Sequence, residues 1–120
     1  MGWSVKEEGS VGEELKKAFQ VGEITIDDIQ VIKIWTRQVE EFGPDSLSKT
    51  LSLREAMQLK EEVLLRDSSN INFWNDHDLT GEWAGHRSSS FSRLGRIIYK
   101  IEDGQIKIVK VVKITATHQY

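Results

Sequence analysis

The chain has 120 residues and no cysteine, is 38% hydrophobic, and carries a net charge of −3. This length predicts one domain with a modest core, and the apolar content excludes a disordered segment. The lack of cysteine excludes disulfides, thiolate metal ligands and a cysteine nucleophile, and no apolar run approaches the roughly 20 residues of a membrane span. We therefore expect no membrane association and a cytoplasmic location, although a cysteine-free chain could also be exported.

The charge is divided unevenly along the sequence. Residues 1–80 carry 9 Lys/Arg and 16 Asp/Glu, whereas residues 81–120 carry 7 Lys/Arg and 3 Asp/Glu. Only the C-terminal third could therefore face a polyanion. The whole-chain pI of about 5.6 argues weakly against nucleic-acid binding.

Residues 1–66 are predicted to be mainly helical. A first helix follows Ser10 and ends near Gly22, and a second begins at Thr25, where Asp28 completes a capping box. Gly43-Pro44 ends the second helix, and a third helix is predicted over residues 52–66. The apolar stripe of the second helix comprises Ile26, Ile29, Ile32, Trp35, Val39 and Phe42. A loop follows at 67–72, and a short strand around Trp3 is also predicted.

Residues 74–120 are predicted to be mainly β. Strands are expected over 84–91, 97–101 and 106–114, the last with six Ile or Val among nine residues. Asp103-Gly104 is a strong signal for a two-residue hairpin loop, because glycine adopts the positive φ that such a loop requires. The predicted fold is α+β, with N-terminal helices packed on one face of a small antiparallel sheet in a single domain of residues 1–120.

A two-residue loop fixes a register in which Lys100 faces Lys107 and Ile101 faces Ile106. The predicted core face then comprises Ile97, Tyr99, Ile101, Ile106 and Ile108. The opposite face comprises Arg96, Lys100, Lys107 and Lys113, interleaved with Ile98, Val109 and Val111. Lys110 falls on the core side, so either a bulge near Val109 and Lys110 or burial of Lys110 at a sheet end is expected. Like charges directly opposite one another destabilise a sheet, so either an anion lies between the lysines or they splay into solvent.

Few residues suggest chemistry individually. The three histidines, His77, His86 and His118, lack metal-ligand spacing, so no metal site or cofactor is expected. No nucleotide-binding glycine motif and no GxSxG occurs.

Four segments of the C-terminal part nevertheless resemble one family when taken in order: 76–83 (DHDLTGEW), 85–87 (GHR), 95–101 (GRIIYKI) and 117–120 (THQY). The chain resembles the RelE superfamily of mRNA-cleaving toxins of type II toxin–antitoxin pairs, above all its YoeB- and YafQ-like branches. The resemblance covers about 47 residues. It implies an antiparallel sheet with packed helices and metal-independent RNA cleavage, in which a ribose 2′-hydroxyl attacks the adjacent phosphate.

The resemblance also implies roles for individual residues. His118 matches the C-terminal histidine that acts as general acid, and Arg96 matches the arginine that holds the scissile phosphate. Tyr120 matches a terminal tyrosine that stacks or orients, and His77 matches a base or positioning residue. Arg87 is a second phosphate candidate, although strand alternation could point it away. The expected RNA-binding residues are Arg87, Lys100, Lys107, Lys113 and His86.

The chain departs from the family where the YoeB-like branch has a glutamate base, because Phe73-Trp74 stands there. The general base is therefore open among His77, Asp76, Asp78 and Glu82. The expected partners are mRNA, with or without the ribosome, and an antitoxin, or an immunity protein if the chain is the toxin domain of a secreted competition protein. A non-catalytic RNA- or ribosome-binding module of the same fold is the alternative from another class.

Overall fold

The computed structural model describes residues 2–48, 74–103 and 107–116. Its elements in chain order are β1 (Ser4–Glu7), α1 (Val11–Gln20), α2 (Ile26–Phe42), β2 (His77–Asp78), β3 (Arg87–Ser90), β4 (Arg96–Asp103) and β5 (Lys107–Thr115). Short 3₁₀ turns cover Pro44–Ser48 and Gly81–Trp83. The predicted third helix, the loop at 67–72 and the tip of the β4–β5 hairpin lie outside the described residues. No helix within the described ranges is long and apolar enough to cross a membrane.

Local signals place both helices where the sequence predicts them. The Thr25 hydroxyl accepts the backbone N–H of Asp28, and the Asp28 carboxylate accepts the N–H of Thr25, which completes the capping box. Gly43 ends α2 at φ +85°, a conformation that L side chains rarely adopt. The buried side of α2 includes Trp35 and Val39, both fully excluded from solvent.

The five strands form one sheet in the order β1-β5-β4-β3-β2. Four strands are antiparallel, whereas β1 pairs in parallel with β5, so the sheet is mixed rather than wholly antiparallel. The predicted strand around Trp3 corresponds to β1, and the strand expected over 84–91 is restricted to β3. The α+β layering is confirmed, because both helices pack on one face of the sheet.

The hydrophobic core lies between α2 and this face, which we call the helix face. Its strand residues alternate with those of the opposite side, which we call the distal face. The core side chains that the sheet contributes are Ile97, Tyr99, Val109 and Val111, with Val5 and Ile114 partly buried beside them.

The predicted hairpin register is wrong. Asp103 pairs with Lys107 and Lys100 pairs with Lys110, so three residues rather than two connect β4 to β5. A one-residue slip moves every side chain of a strand to the other face. Lys107 therefore lies on the helix face, where its Nζ is 5.6 Å from the centroid of the Trp3 ring.

The same slip corrects the other assignments on β5. Val109 and Val111 belong to the core rather than to the cationic face, and Ile108 moves to the distal face. Lys110, which the predicted register placed on the core side, pairs with Lys100 on the distal face. The irregularity in the ladder lies opposite Ile98 and Tyr99 rather than near Val109 and Lys110.

Candidate functional site

The distal face carries a row of three lysines on neighbouring strands. Lys6 of β1 pairs with Lys110 of β5, which pairs with Lys100 of β4. Neighbouring strands lie about 4.8 Å apart, so three like charges are aligned across the sheet. Lys110 forms an ion pair with Glu102 at 3.1 Å, and within the described ranges Lys6 and Lys100 form none. We call these three residues the lysine row.

A second set of residues crosses the same face next to the lysine row. His77, Ser88, Ile98 and Lys113 are successive partners on β2, β3, β4 and β5. Cross-strand partners share a face, so His77 lies on the side of the sheet that carries the lysine row. His77 is exposed, whereas Ser88 and Ile98 are fully buried. His77, Lys100 and Lys113 therefore lie on one face of the sheet, together with Lys6 and Lys110.

Arg96 also lies on the distal face, paired with Ser90 and Thr115. Only 9% of the residue is exposed, and its Nη1 donates to the carbonyls of Gly95 at 2.9 Å, Arg93 at 3.2 Å and Ser92 at 3.4 Å. Arg96 thus braces the loop between β3 and β4. Its Nε and Nη2 form no hydrogen bond with the described parts of the chain.

Gly95 makes this tight loop possible. A Cβ at this position would overlap the ring of Phe91, a residue that is 2% exposed. The Gly95 N–H donates to the Ser92 Oγ at 2.8 Å, and the Phe91 N–H donates to the Gly95 carbonyl at 3.2 Å. These contacts fix the backbone immediately before Arg96.

Arg87 points to the helix face, where it joins a network centred on the buried carboxylate of Asp76. Its Nη1 donates to Asp78 Oδ1 at 2.5 Å, its Nε donates to Asp76 Oδ1 at 2.8 Å, and its Nη2 also bonds Asp76. Burial opposes the charge on the guanidinium, but the bonds to Asp76 and Tyr99 outweigh it and raise the pKa of Arg87 above its ordinary value.

Asp76 accepts two further hydrogen bonds from the core. Ser89 Oγ and Tyr99 Oη donate to Asp76 Oδ2 at 2.6 Å and 2.5 Å, and the Trp35 indole N–H donates to Ser89 Oγ at 2.9 Å. Burial first, and then the negative charge of Asp76, raise the pKa of Tyr99 well above its ordinary value. Tyr99 therefore remains a neutral donor at all ordinary pH values.

The four residues that could serve as general base differ in what surrounds them. The Asp76 carboxylate is excluded from solvent and accepts four hydrogen bonds, and the Asp78 carboxylate pairs with Arg87. Glu82 is exposed on the Gly81–Trp83 turn. His77 is exposed on the distal face, and its Nδ1 lies 3.0 Å from the Asp78 carbonyl oxygen. A carbonyl can only accept, so this bond places the proton on Nδ1 and leaves the Nε2 lone pair available.

Three predicted site residues remain: His86, His118 and Tyr120. His86 directly precedes β3, and its ring packs edge-on against Trp83 with centroids 5.3 Å apart. The buried Nδ1 of His86 has no hydrogen-bond partner within the described residues. His118 and Tyr120 lie outside the described residues. No group of three or more His, Asp or Glu side chains that could hold a metal ion occurs in residues 2–48, 74–103 and 107–116.

Sequence reasoning missed two features of this site. Lys6 and Lys110 were missed because the lysine row depends on the parallel partner of β5 and on the length of the hairpin loop. The Asp76 network carries a signal that could have been found: Asp76 and Asp78 alternate on one segment, while Arg87 and Ser89 alternate on the next. Complementary residues at i, i+2 spacing on two adjacent strands indicate a shared face.

Comparison with solved structures finds the same fold in several toxins. The YoeB/ParE toxin from Agrobacterium tumefaciens aligns with a TM-score of 0.57 at 12% identity, over 92% of this chain and 94% of that one. The YoeB-YefM toxin–antitoxin complex from Staphylococcus aureus gives 0.56 at 12% identity over all of both chains. The DinJ-YafQ toxin–antitoxin complex from E. coli gives 0.52 at 17% identity, over 98% of this chain and 94% of that one.

The chain shares the fold of these YoeB and YafQ toxins. No protein-family model matches the sequence. No curated protein sequence matches it either.

Proposed function

We propose that this chain is an endoribonuclease toxin that cleaves mRNA by attack of a ribose 2′-hydroxyl on the adjacent phosphate, and so inhibits translation. The observation that carries the proposal is the lysine row, which shares the distal face with His77 in a fold of RelE-superfamily toxins. A lysine row alone supports anion binding, whereas cleavage also needs groups that move protons.

The charge arrangement favours a polyanionic ligand. Lysines directly opposite one another repel, and the repulsion is relieved when an anion lies between them. Lys113 and Arg96 extend the positive surface on the same face, and Glu102 offsets only part of it. A phosphodiester backbone supplies negative charges at regular spacing, so a single RNA strand can contact several of these cations at once.

The proposed chemistry assigns the proton-transfer steps to two histidines. His77 takes the proton from the 2′-hydroxyl through Nε2, and His118 protonates the 5′-oxygen as it leaves. Arg96 and the lysines stabilise the charge that develops on the phosphorane. Tyr120 stacks on or orients the substrate. The roles of His118 and Tyr120 rest on the resemblance to the RelE superfamily.

His77 is the best supported base because it shares the distal face with the lysine row, whereas Asp76 and Asp78 both bind Arg87. Asp76 could accept a proton from RNA only by breaking a buried network, and Asp78 is paired with Arg87. Histidine is also the side chain that most often serves as a general base in enzymes.

A protein that cleaves cellular mRNA requires a neutralising partner. Two of the similar structures are toxin–antitoxin complexes, so we propose a cognate antitoxin that acts with this chain in the cytoplasm. An immunity protein would serve the same purpose if the chain belongs to a secreted competition protein. The length of the open reading frame upstream of residue 1 distinguishes these two settings.

Induced expression in a bacterium tests the function. We expect growth arrest and new RNA 5′ ends within coding sequences, and we expect both to disappear in the His118→Ala variant while its circular dichroism spectrum stays unchanged. Ribosome dependence is read from whether purified protein cleaves naked mRNA or only translating complexes. RNA binding without new 5′ ends, with ribosomes supplied, would contradict the proposal and favour a non-catalytic module.

A further inference from the structure

β2 is a two-residue edge strand that carries His77. Within the described residues it pairs only with β3 and lies at the end of the sheet. Two backbone hydrogen bonds flank it: the Leu79 N–H donates to the His86 carbonyl at 3.0 Å, and the Ser90 N–H donates to the Trp74 carbonyl at 2.7 Å. So short a strand has few backbone hydrogen bonds, and side-chain contacts that hold it add to the constraint on His77.

Arg87 adds a side-chain constraint from the other face of the sheet. Its guanidinium binds Asp76 through Nε and Nη2 and binds Asp78 through Nη1, so one side chain grips the residues directly before and after His77. We call this arrangement the Arg87 clasp. Side chains alternate along an extended chain, so fixing both neighbours towards the helix face directs His77 towards the distal face.

The clasp is itself anchored in the core. Ser89 and Tyr99 both donate to the Asp76 carboxylate, and Ser89 in turn accepts the indole N–H of Trp35 on α2. The Trp35 and Tyr99 rings also pack edge-on with centroids 5.3 Å apart. The orientation of His77 therefore depends, through this network, on the position of α2.

The clasp also acts on the tautomer of His77. The carbonyl that accepts the Nδ1 proton belongs to Asp78, one of the two residues that Arg87 binds. Holding the Asp78 backbone in place keeps this acceptor against Nδ1, and Nε2 then keeps its lone pair facing the distal surface.

Arg87 is poorly suited to contact RNA directly. All three of its guanidinium nitrogens already donate to Asp76, Asp78 or Tyr99, and its side chain is 23% exposed. Two carboxylates against one guanidinium leave a net negative charge locally, which repels a phosphate. An RNA phosphate would have to displace a carboxylate from this site.

From these contacts we infer that Arg87 is a positioning residue that acts through His77, and not a phosphate ligand. The inference rests on the proposed function only where it states that RNA cleavage depends on Arg87. The orientation of His77 can be measured without any RNA, so the two can fail separately.

The first test is imidazole NMR of the free protein, in which three histidines give three resolvable ring systems. In Arg87→Gln we expect the ring shifts of His77 and its tautomer ratio to move to those of a free side chain, with His86 and His118 unchanged. Arg93→Gln is the matched control, because Arg93 is exposed on the β3–β4 loop and its loss removes the same charge. Unchanged His77 resonances in Arg87→Gln would overturn the inference.

Asp78→Asn provides a second variant in case Arg87→Gln does not fold. The Asp78 side chain is 80% exposed, so its replacement removes one arm of the clasp and leaves the buried Asp76 pair intact. We expect a shift of the His77 resonances in the same direction and of smaller size. No shift in this variant would also contradict the inference.

The second test is a double-mutant cycle on RNA cleavage. We expect Arg87→Gln to lower kcat about 10- to 100-fold with KM unchanged, the range found for groups that orient a functional residue. Combined with His77→Ala it should add no further loss, because both changes remove the same base. A raised KM with additive losses would identify Arg87 as a phosphate ligand. Absence of cleavage by the unmodified chain would refute the proposed function and leave the NMR result to decide on the clasp.

Discussion

Replacement of Asp76 by Asn measures how strongly the buried network stabilises this fold. The Asp76 carboxylate is fully buried and accepts four hydrogen bonds, two from Arg87 and one each from Ser89 and Tyr99. The amide has nearly the same shape, but it removes the charge and presents two N–H groups to donors. Placed against Arg87, the new NH₂ group meets only donors; placed against Ser89 and Tyr99, it can bond only if their hydroxyls turn to accept.

The expected loss follows from these contacts. Hydrogen bonds to a charged group contribute about 1.5–3 kcal/mol each, against about 0.5–1.5 kcal/mol for neutral ones. Removing one partner of a buried ion pair costs about 3–5 kcal/mol. Because Arg87 is partly exposed and keeps its bond to Asp78, we expect the lower end of that range, about 3 kcal/mol.

Urea unfolding followed by circular dichroism measures this loss, and Asp78→Asn is the matched control. Both carboxylates bind the same guanidinium, but the Asp78 side chain is 80% exposed, so its loss should cost less than about 1 kcal/mol. With an m-value of about 1–3 kcal/mol/M, the midpoint of Asp76→Asn should fall by at least about 1 M. Equal midpoints for the two variants would refute the role assigned to burial.

Three other outcomes follow from the geometry. Tyr99→Phe should reduce the loss of folding stability at alkaline pH. The pKa of Tyr99 is raised in the folded protein, so above the ordinary value of about 10 ionisation favours the unfolded chain, by about 1.4 kcal/mol at pH 11. Parallel pH profiles of the unfolding free energy for variant and parent would contradict this. Gly95→Ala should destabilise the fold by about 1–3 kcal/mol in the same unfolding assay, because its Cβ would overlap the buried Phe91 ring; a neutral effect would argue against the tight loop. Replacing Lys100 and Lys110 together by Gln should lower the magnitude of the slope of log affinity for single-stranded RNA against log salt concentration by about 1.4. Lys33→Gln on α2 is the control and should leave this slope unchanged in the same filter-binding titration. An unchanged slope for the double variant would show that the lysine row does not contact the RNA.

The helices could be predicted from sequence because their signals are local. Thr25 and Asp28 are three residues apart and form their capping box without help from the rest of the chain. The stripe through Trp35 and Val39 indicates the buried side of α2 on its own. Such signals need no knowledge of long-range pairing.

The hairpin register could not be predicted because it depends on a single residue of loop length. Asp103-Gly104 is compatible with connections of two or three residues, and the choice decides whether Lys107 or Lys110 faces Lys100. Positive charge on this face was predicted correctly, but Lys107 was assigned to it in place of Lys110. The place of Lys6 on this face could not be predicted, because β1 pairs with a strand about 100 residues later in the chain.

The role of Arg87 could not be recovered from residue type. Arginine, histidine and aspartate in one short segment are typical of RNA chemistry and equally typical of a buried ion-pair network. Only the pairing of β2 with β3, and of β3 with β4, separates His77 on one face from Asp76 and Arg87 on the other.

Attack by a ribose 2′-hydroxyl is tested by cleaving, in the presence of EDTA, an RNA that lacks this hydroxyl at one position. A single-stranded RNA is first cut by the purified protein, with ribosomes supplied if they are required, and the cut site is mapped. The same RNA is then made with a 2′-deoxy sugar on the 5′ side of that bond. We predict a 2′,3′-cyclic phosphate end on the cut RNA and no cleavage at the deoxy position. Cleavage at the deoxy position at an undiminished rate would contradict the account.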